Sequence, residues 1–164
     1  MYLLNDAMIA KYIEDDNGIL DISDYLRKNL GHTFYYFRLG SDVTLNGKVL
    51  KLSEEERFLT LEPNDFAVIK TFERFSLSDN ILGIFGQTRE LAERGVQVLH
   101  SPFIDPRFKN RLILGIKNLG IEKIDLEYEV SKIGKVCFFN ISDTYPINIK
   151  KNSDFYKRFI DSQE

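Results

Sequence analysis

Leu61-Glu62-Pro63-Asn64-Asp65-Phe66-Ala67-Val68-Ile69-Lys70-Thr71-Phe72-Glu73 is the stretch on which the fold turns. Glu62–Asp65 has the composition of a tight turn. Phe66–Glu73 then reads as a strand bounded by it. Working upstream, Phe58–Leu61 is a short strand and Ser53–Arg57 a charged loop. Val43–Leu45 and Lys48–Leu52 flank Asn46-Gly47, a strong two-residue hairpin signal. Thr33–Leu39 is β-branched and aromatic between Gly31 and Gly40, and also reads as a strand. Downstream, short strands are expected at Ile81–Phe85, Val96–His100, Arg111–Asn118, Lys123–Leu126 and Lys135–Asn140, with a helical turn over Thr88–Arg94. The N-terminus differs. A helix over Ala7–Asp15 capped by Asn5 or Asp6 and ended by Gly18 is expected, then a second helical run over Ile22–Asn29. This is a mostly β chain with short N-terminal helices, the pattern of a barrel or sandwich.

Bulk properties narrow the function. The 164 residues have the length of one domain, and 43% hydrophobic with 29% charged residues can bury a core. A net charge of -3 disfavours a general duplex-binding surface, and no nucleic-acid partner is expected. A few local Arg or Lys residues still suffice for a phosphorylated ligand. One Cys and two His cannot build a Cys-rich zinc site, so no protein metal site is expected. Cys137, inside Val136–Phe139, reads as a buried, inert thiol. No apolar run approaches the roughly 20 residues that span a bilayer, and no signal-peptide pattern opens the chain. A cytoplasmic protein with no membrane partner is the default expectation.

Several pieces, in order, resemble the dCTP deaminases and the related trimeric dUTPases. Leu3–Ile9 is similar to that superfamily's opening strand and capped helix, and Phe37-Arg38-Leu39-Gly40 to its Asp-Leu-Arg-Leu-Gly element. Leu61–Glu73 resembles Leu-x-Pro-Gly-Glu-Phe…Thr-x-Glu, and Leu77–Gly83 continues it. Leu91-Ala92-Glu93-Arg94-Gly95 sits where the family has Leu-Ala-Arg-x-Gly. Ile104-Asp105-Pro106-Arg107-Phe108 resembles Ile-Asp-Pro-Gly-Phe, Leu112–Leu114 with Asn118 the following strand, and Ile133–Phe138 Ile-Gly-Gln-Leu-x-Phe. The resemblance implies one dUTPase-like distorted jelly-roll β-barrel domain, with a core over about 33–140 and a C-terminal arm over about 142–164. It also implies a homotrimer binding a deoxynucleoside triphosphate between subunits, with Mg²⁺ on the phosphates.

The candidate site residues follow from the same alignment. The family's phosphate motif is Gly-Arg-Ser-Ser-Leu-Ala-Arg, where arginines and hydroxyls near a helix N-terminus meet a triphosphate. Two registers fit. Ungapped, Gln87–Glu93 covers the motif, with Arg89 on the first Ser and Glu93 on the final Arg. Shifted by one, Thr88 supplies the hydroxyl and Arg94 the guanidinium. A plain solvated helix is the alternative reading of this stretch. Asp105 matches a carboxylate that holds a sugar hydroxyl and the catalytic water, and Phe108 an aromatic that packs on the deoxyribose. Asp105 and Thr88 are thus the catalytic candidates. Gln87, Thr88, Arg89, Arg94, Asp105, Phe108, Lys117 and Tyr156 are the nucleotide-binding ones.

One departure bears on the reaction. Deaminases of this type carry a Glu as general base in Leu-Glu-x-x-Asn. The matching residue is Gly115, in Leu114-Gly115-Ile116-Lys117-Asn118. Glycine cannot move a proton. Strand alternation returns Lys117 to the face of residue 115, where a cation suits phosphate. The dUTPases' glycine-rich C-terminal motif is also absent, and Tyr156 is the best match to the deaminases' closing segment. Three readings stay open: an active deaminase or diphosphatase, a catalytically degenerate member that binds a nucleotide or a protein, and an oligomeric scaffold with a closed site. His32 and His100 read as loop histidines, and the aromatic run Phe34–Phe37 as a strand at a subunit interface.

Overall fold

A computed structural model describes residues 1–142. The chain opens with β1 (Tyr2–Leu3) and α1 (Asp6–Glu14), followed by β2 (Leu20–Ile22). The hairpin β3 (Tyr35–Leu45) and β4 (Lys48–Lys51) comes next, then β5 (Phe58–Leu61), β6 (Phe66–Thr71), β7 (Phe75–Leu77) and β8 (Ile81–Gln87). A five-residue α2 (Arg89–Glu93) leads to β9 (Val96–Leu99), β10 (Phe103–Ile104), β11 (Lys109–Asn110), β12 (Ile113–Asn118), β13 (Ile124–Glu127) and β14 (Lys132–Asn140). Among the described residues no helix is long and apolar enough to cross a membrane.

The N-terminal expectations need two corrections. Asn5 caps α1, accepting from the Met8 amide at 2.9 Å, but the helix stops at Glu14 with Asp15 as its C-cap. Gly18, at φ +69°, turns the chain three residues later instead of ending the helix. The second helical run over Ile22–Asn29 does not form. Leu20 and Ile22 pair with Leu77 and Phe75 in β7, and only a 3₁₀ turn, Arg27–Asn29, remains. A short helix pays a nucleation penalty that a ready strand partner avoids.

One sheet carries most of the fold, in the order β10-β8-β14-β3-β6-β12-β9, with β1 on β14 and β4 on β3. Strand β3 serves both halves. Its first part pairs with β14 (Tyr35↔Val136) and its last part with β6 (Val43↔Ile69), with a register shift after Leu39. Gly40 sits in that shift. A Cβ there would stand 2.6 Å from the Lys70 carbonyl oxygen and 2.7 Å from that of Thr71, so only glycine permits the approach. The sheet curls into a half-barrel, flanked by β11-β7-β2 and β13-β5. The Asn46-Gly47 hairpin forms as expected, both residues at positive φ (+48° and +83°).

The core is aromatic and aliphatic. Tyr35, Phe37, Phe75 and Phe138 are fully buried, and Phe75 lies edge-on to Phe37 with ring centroids 6.1 Å apart. Half of the Phe34–Phe37 run is therefore used within the chain. Alternation sends Tyr35 and Phe37 into the core and leaves Phe34 and Tyr36 half-buried outside. Cys137, between buried Val136 and Phe138, is likewise half-buried on the outer side. Burial still pushes its thiol up, which keeps thiolate scarce.

A buried ion pair joins β3 to the residues that follow β6. Arg38 Nε donates to Glu73 Oε1 at 2.6 Å, and the Arg38 amide to Oε2 at 2.8 Å. The guanidinium also donates to the carbonyls of Asp24 (2.8 Å) and Glu129 (3.3 Å) and lies 4.6 Å from the Phe72 ring centroid. Glu73 is fully buried, and that burial pushes its carboxyl up while hydrogen bonds and charge from Arg38 pull it down. The Tyr35 phenol, at 3.5 Å from Oε1, is pushed up to about 12, chiefly by burial. Removing one partner strands the other charge. Arg38→Met and Glu73→Ala should each lower unfolding free energy by about 3–5 kcal/mol in urea titrations.

Candidate functional site

The first candidate cluster is the corner where β8 enters α2. Thr88 caps the helix: its Oγ1 accepts from the Leu91 amide at 3.4 Å, and the residue is buried. The capping hydroxyl is the one that the shifted register singles out. Gln87 clamps the corner to β9, donating from Nε2 to the Val96 carbonyl (2.6 Å) and accepting from the Val98 amide (3.1 Å). Arg89 is exposed and paired with Glu93 at 2.6 Å, and Arg94 with Glu90 at 3.8 Å. These i,i+4 pairs are solvent-exposed and weak, so both guanidiniums can leave for a stronger anion.

Lys117 lies one strand beyond that corner. It pairs with Gln97 of β9 on one side and Phe66 of β6 on the other. Its ammonium donates to the Asn64 carbonyl and forms no ion pair among the described residues. Gly115 stands two residues back on the same outer face, between Val68 and Leu99. A Cβ at Gly115 would come within 3.0 Å of the Phe66 ring and 3.4 Å of Leu99 Cβ. The space beside Gly115 is thus occupied by an aromatic ring.

Asp105 and Phe108 fall elsewhere. Phe103 and Ile104 pair with Ile84 and Gly83, which sets Asp105 opposite the start of β8. Six residues of strand then separate its level from Thr88, roughly 20 Å at 3.3 Å per residue. Asp105 is exposed, while Phe108 is half-buried and packs against the core. Sequence reasoning missed how this turn is held. Arg107 adopts φ +71°, a conformation that favours glycine, and grips Asp79 with two bonds of 2.6 Å. The Arg107 hydrogen bonds hold the Asp79 carboxyl below its usual range. The signal was present as an Arg where the resembling motif has Gly. His100, expected as a loop histidine, packs its ring 5.2 Å from that of Phe85. Tyr156 and the C-terminal arm lie outside the described residues.

A dCTP deaminase-like family model matches residues 3–141. The chain belongs to that family. It is 30% identical to the dCTP deaminase of Thermococcus sibiricus over 122 residues, covering 74% of this chain and 76% of the relative. It is 27% identical to that of Thermococcus kodakarensis over 107 residues, 65% and 68% of the two chains. Among solved structures, the 2'-deoxycytidine 5'-triphosphate deaminase of Agrobacterium tumefaciens superposes with a TM-score of 0.68 at 15% identity over 83% of this chain. That match covers 47% of the Agrobacterium protein, so this chain spans about half its length. A dUTPase from a Staphylococcus aureus phage gives 0.53 at 15% identity, covering 83% and 99% of the two chains. This family member therefore has the expected dUTPase-like, mostly β fold.

The Asp79–Arg107 clamp gives a pH dependence with a definite sign. Asp79 is depressed in the fold, so its contribution is present above the ordinary aspartate pKa of about 4 and is lost as pH falls through the depressed value. Both groups are largely exposed, so the effect is small. Asp79→Asn should lower the melting midpoint slightly at pH 7, and the gap to the native protein should close near pH 3. A gap that widened on acidification would contradict this.

Proposed function

We propose that this chain is a dCTP deaminase-like protein of deoxynucleotide metabolism. It binds a deoxynucleoside triphosphate between copies of itself without deaminating by the family's glutamate route. The observation that carries this is Gly115, which has no group for proton transfer and whose outer face is covered by Phe66.

The separation of the candidate residues supports a shared site. Thr88, Arg89, Arg94 and Lys117 gather at one end of β8 and Asp105 at the other, so they can meet one ligand only across two chains. Exposed apolar residues lie on two different outer surfaces, Leu3 and Phe103 on one and Val68, Leu99 and Ile113 on the other. Two unlike patches suit head-to-tail contacts that close into a ring, and a homotrimer is the ring we infer. In it, Arg89, Arg94 and Lys117 would face the phosphates. Asp105 and Phe108 of the next copy would face the sugar.

Magnesium would arrive on the phosphates. Among the described residues no group of three His, Cys, Asp or Glu side chains could hold a metal, so they do not fit a resident ion and no step runs through one. Deoxynucleoside triphosphates are met in the cytoplasm, where this reading places the protein. The exposed carboxylate of Asp105 favours a second reading, diphosphate release from dUTP by an Asp-held water.

Light scattering with calorimetric titration tests the assignment. The expected result is a trimer that gives heat with dNTPs and Mg²⁺ and releases no ammonia from dCTP. Ammonia release would refute the inactive assignment, and pyrophosphate from dUTP would select the second reading. A monomer giving no heat with any dNTP would overturn both.

A further inference from the structure

The outer face around Gly115 has a chemistry that the family resemblance does not supply. Phe66 is 37% exposed, and its ring lies over the glycine. Val68 (38%), Leu99 (45%) and Ile113 (58%) surround it with aliphatic surface, the patch assigned above to the contact between copies, which puts the ring at the shared site. Directly across the strand pair from Phe66 stands Lys117, whose ammonium donates to the Asn64 carbonyl and has no carboxylate partner among the described residues. Lys70 of the same face is held by Asp42 at 3.5 Å. An aromatic ring beside an ammonium without a carboxylate partner suits an aromatic anion: a flat base over the ring and a phosphate at the amine.

We propose that Phe66 is the specificity-determining residue of the nucleotide site, holding the base by stacking. This rests on the nucleotide-binding reading above. A residue with a carboxyl at position 115 could distinguish an amino from an oxo base by hydrogen bonding. Gly115 offers no such group, and Val68, Leu99 and Ile113 offer none either. Bases are then ranked by the area they lay on the ring, so purine deoxynucleotides bind more tightly than pyrimidine ones. The ligand class of this family member is a deoxynucleoside triphosphate chosen by stacking surface, with phosphate affinity supplied by Lys117.

Calorimetric titrations of dATP, dGTP, dCTP, dTTP and inorganic tripolyphosphate test this on the full chain. The native protein and the variants Phe66→Ala, Phe66→Leu and Phe66→Tyr are compared. Leucine keeps apolar bulk without an aromatic face, so it serves where alanine fails to fold. The native protein should bind dATP and dGTP several-fold more tightly than dCTP and dTTP. Phe66→Ala and Phe66→Leu should weaken dATP binding roughly tenfold, flatten the ranking and leave tripolyphosphate unchanged, since one base stack is worth that order. Phe66→Tyr should restore the native ranking. Native binding of dNTPs that is indifferent to Phe66, or that favours pyrimidines, overturns the inference and leaves the nucleotide reading standing. No native binding of any dNTP overturns both.

Discussion

The fold depends on a charge that has no exit to water. Glu73 follows β6 and is wholly buried, and Arg38 of β3 is its counter-ion. An isolated carboxylate at that depth would cost several kcal/mol, so the pair holds β3 against the end of β6 at one register. The same guanidinium reaches the carbonyls of Asp24 and Glu129, which belong to otherwise irregular segments. Thr71 extends the node, accepting from the Leu112 amide at 3.0 Å and donating to the Glu73 carbonyl at 2.7 Å. Five stretches distant in sequence are thereby tied to one buried centre.

Much of this was legible in the sequence, and the reason is local. The Asn46-Gly47 hairpin, the Asn5 cap and the turn before Phe66 rest on chemistry within a few residues. The two- and three-residue strands β7, β10 and β11 were not legible, because so short a run carries no period. The Ile22–Asn29 stretch failed because a long-range partner, β7, overrode local preference. The Arg38–Glu73 pairing spans 35 residues. Its two ends, Phe37–Gly40 and Thr71–Glu73, stood out as separate motifs, with nothing in either to say that they touch.

The candidate site was legible as a set of residues and hidden as an arrangement. Alternation placed Lys117 on the face of Gly115, and the strand pairing agrees. The exposure of Asp105 and its distance from Thr88 follow from the register of β10 on β8, which no spacing rule supplies. The ring above Gly115 was invisible as well, because Phe66 and Gly115 are 49 positions apart and meet diagonally across β6 and β12.

The doubled role of β3 has a consequence for synthesis on the ribosome. Its first half is completed by β14, and β14 also supplies the partner for β1 and the long side of β8. Three earlier strands therefore wait, with unpaired edges, until residues 132–140 have emerged. The β3–β4 hairpin and its pairing with β6 can form sooner, because their contacts are nearer in sequence. The nascent chain must pass through a stage in which half of the curl is built and the edges of β3 and β8 are open. That is the interval in which it is most exposed to wrong strand pairing.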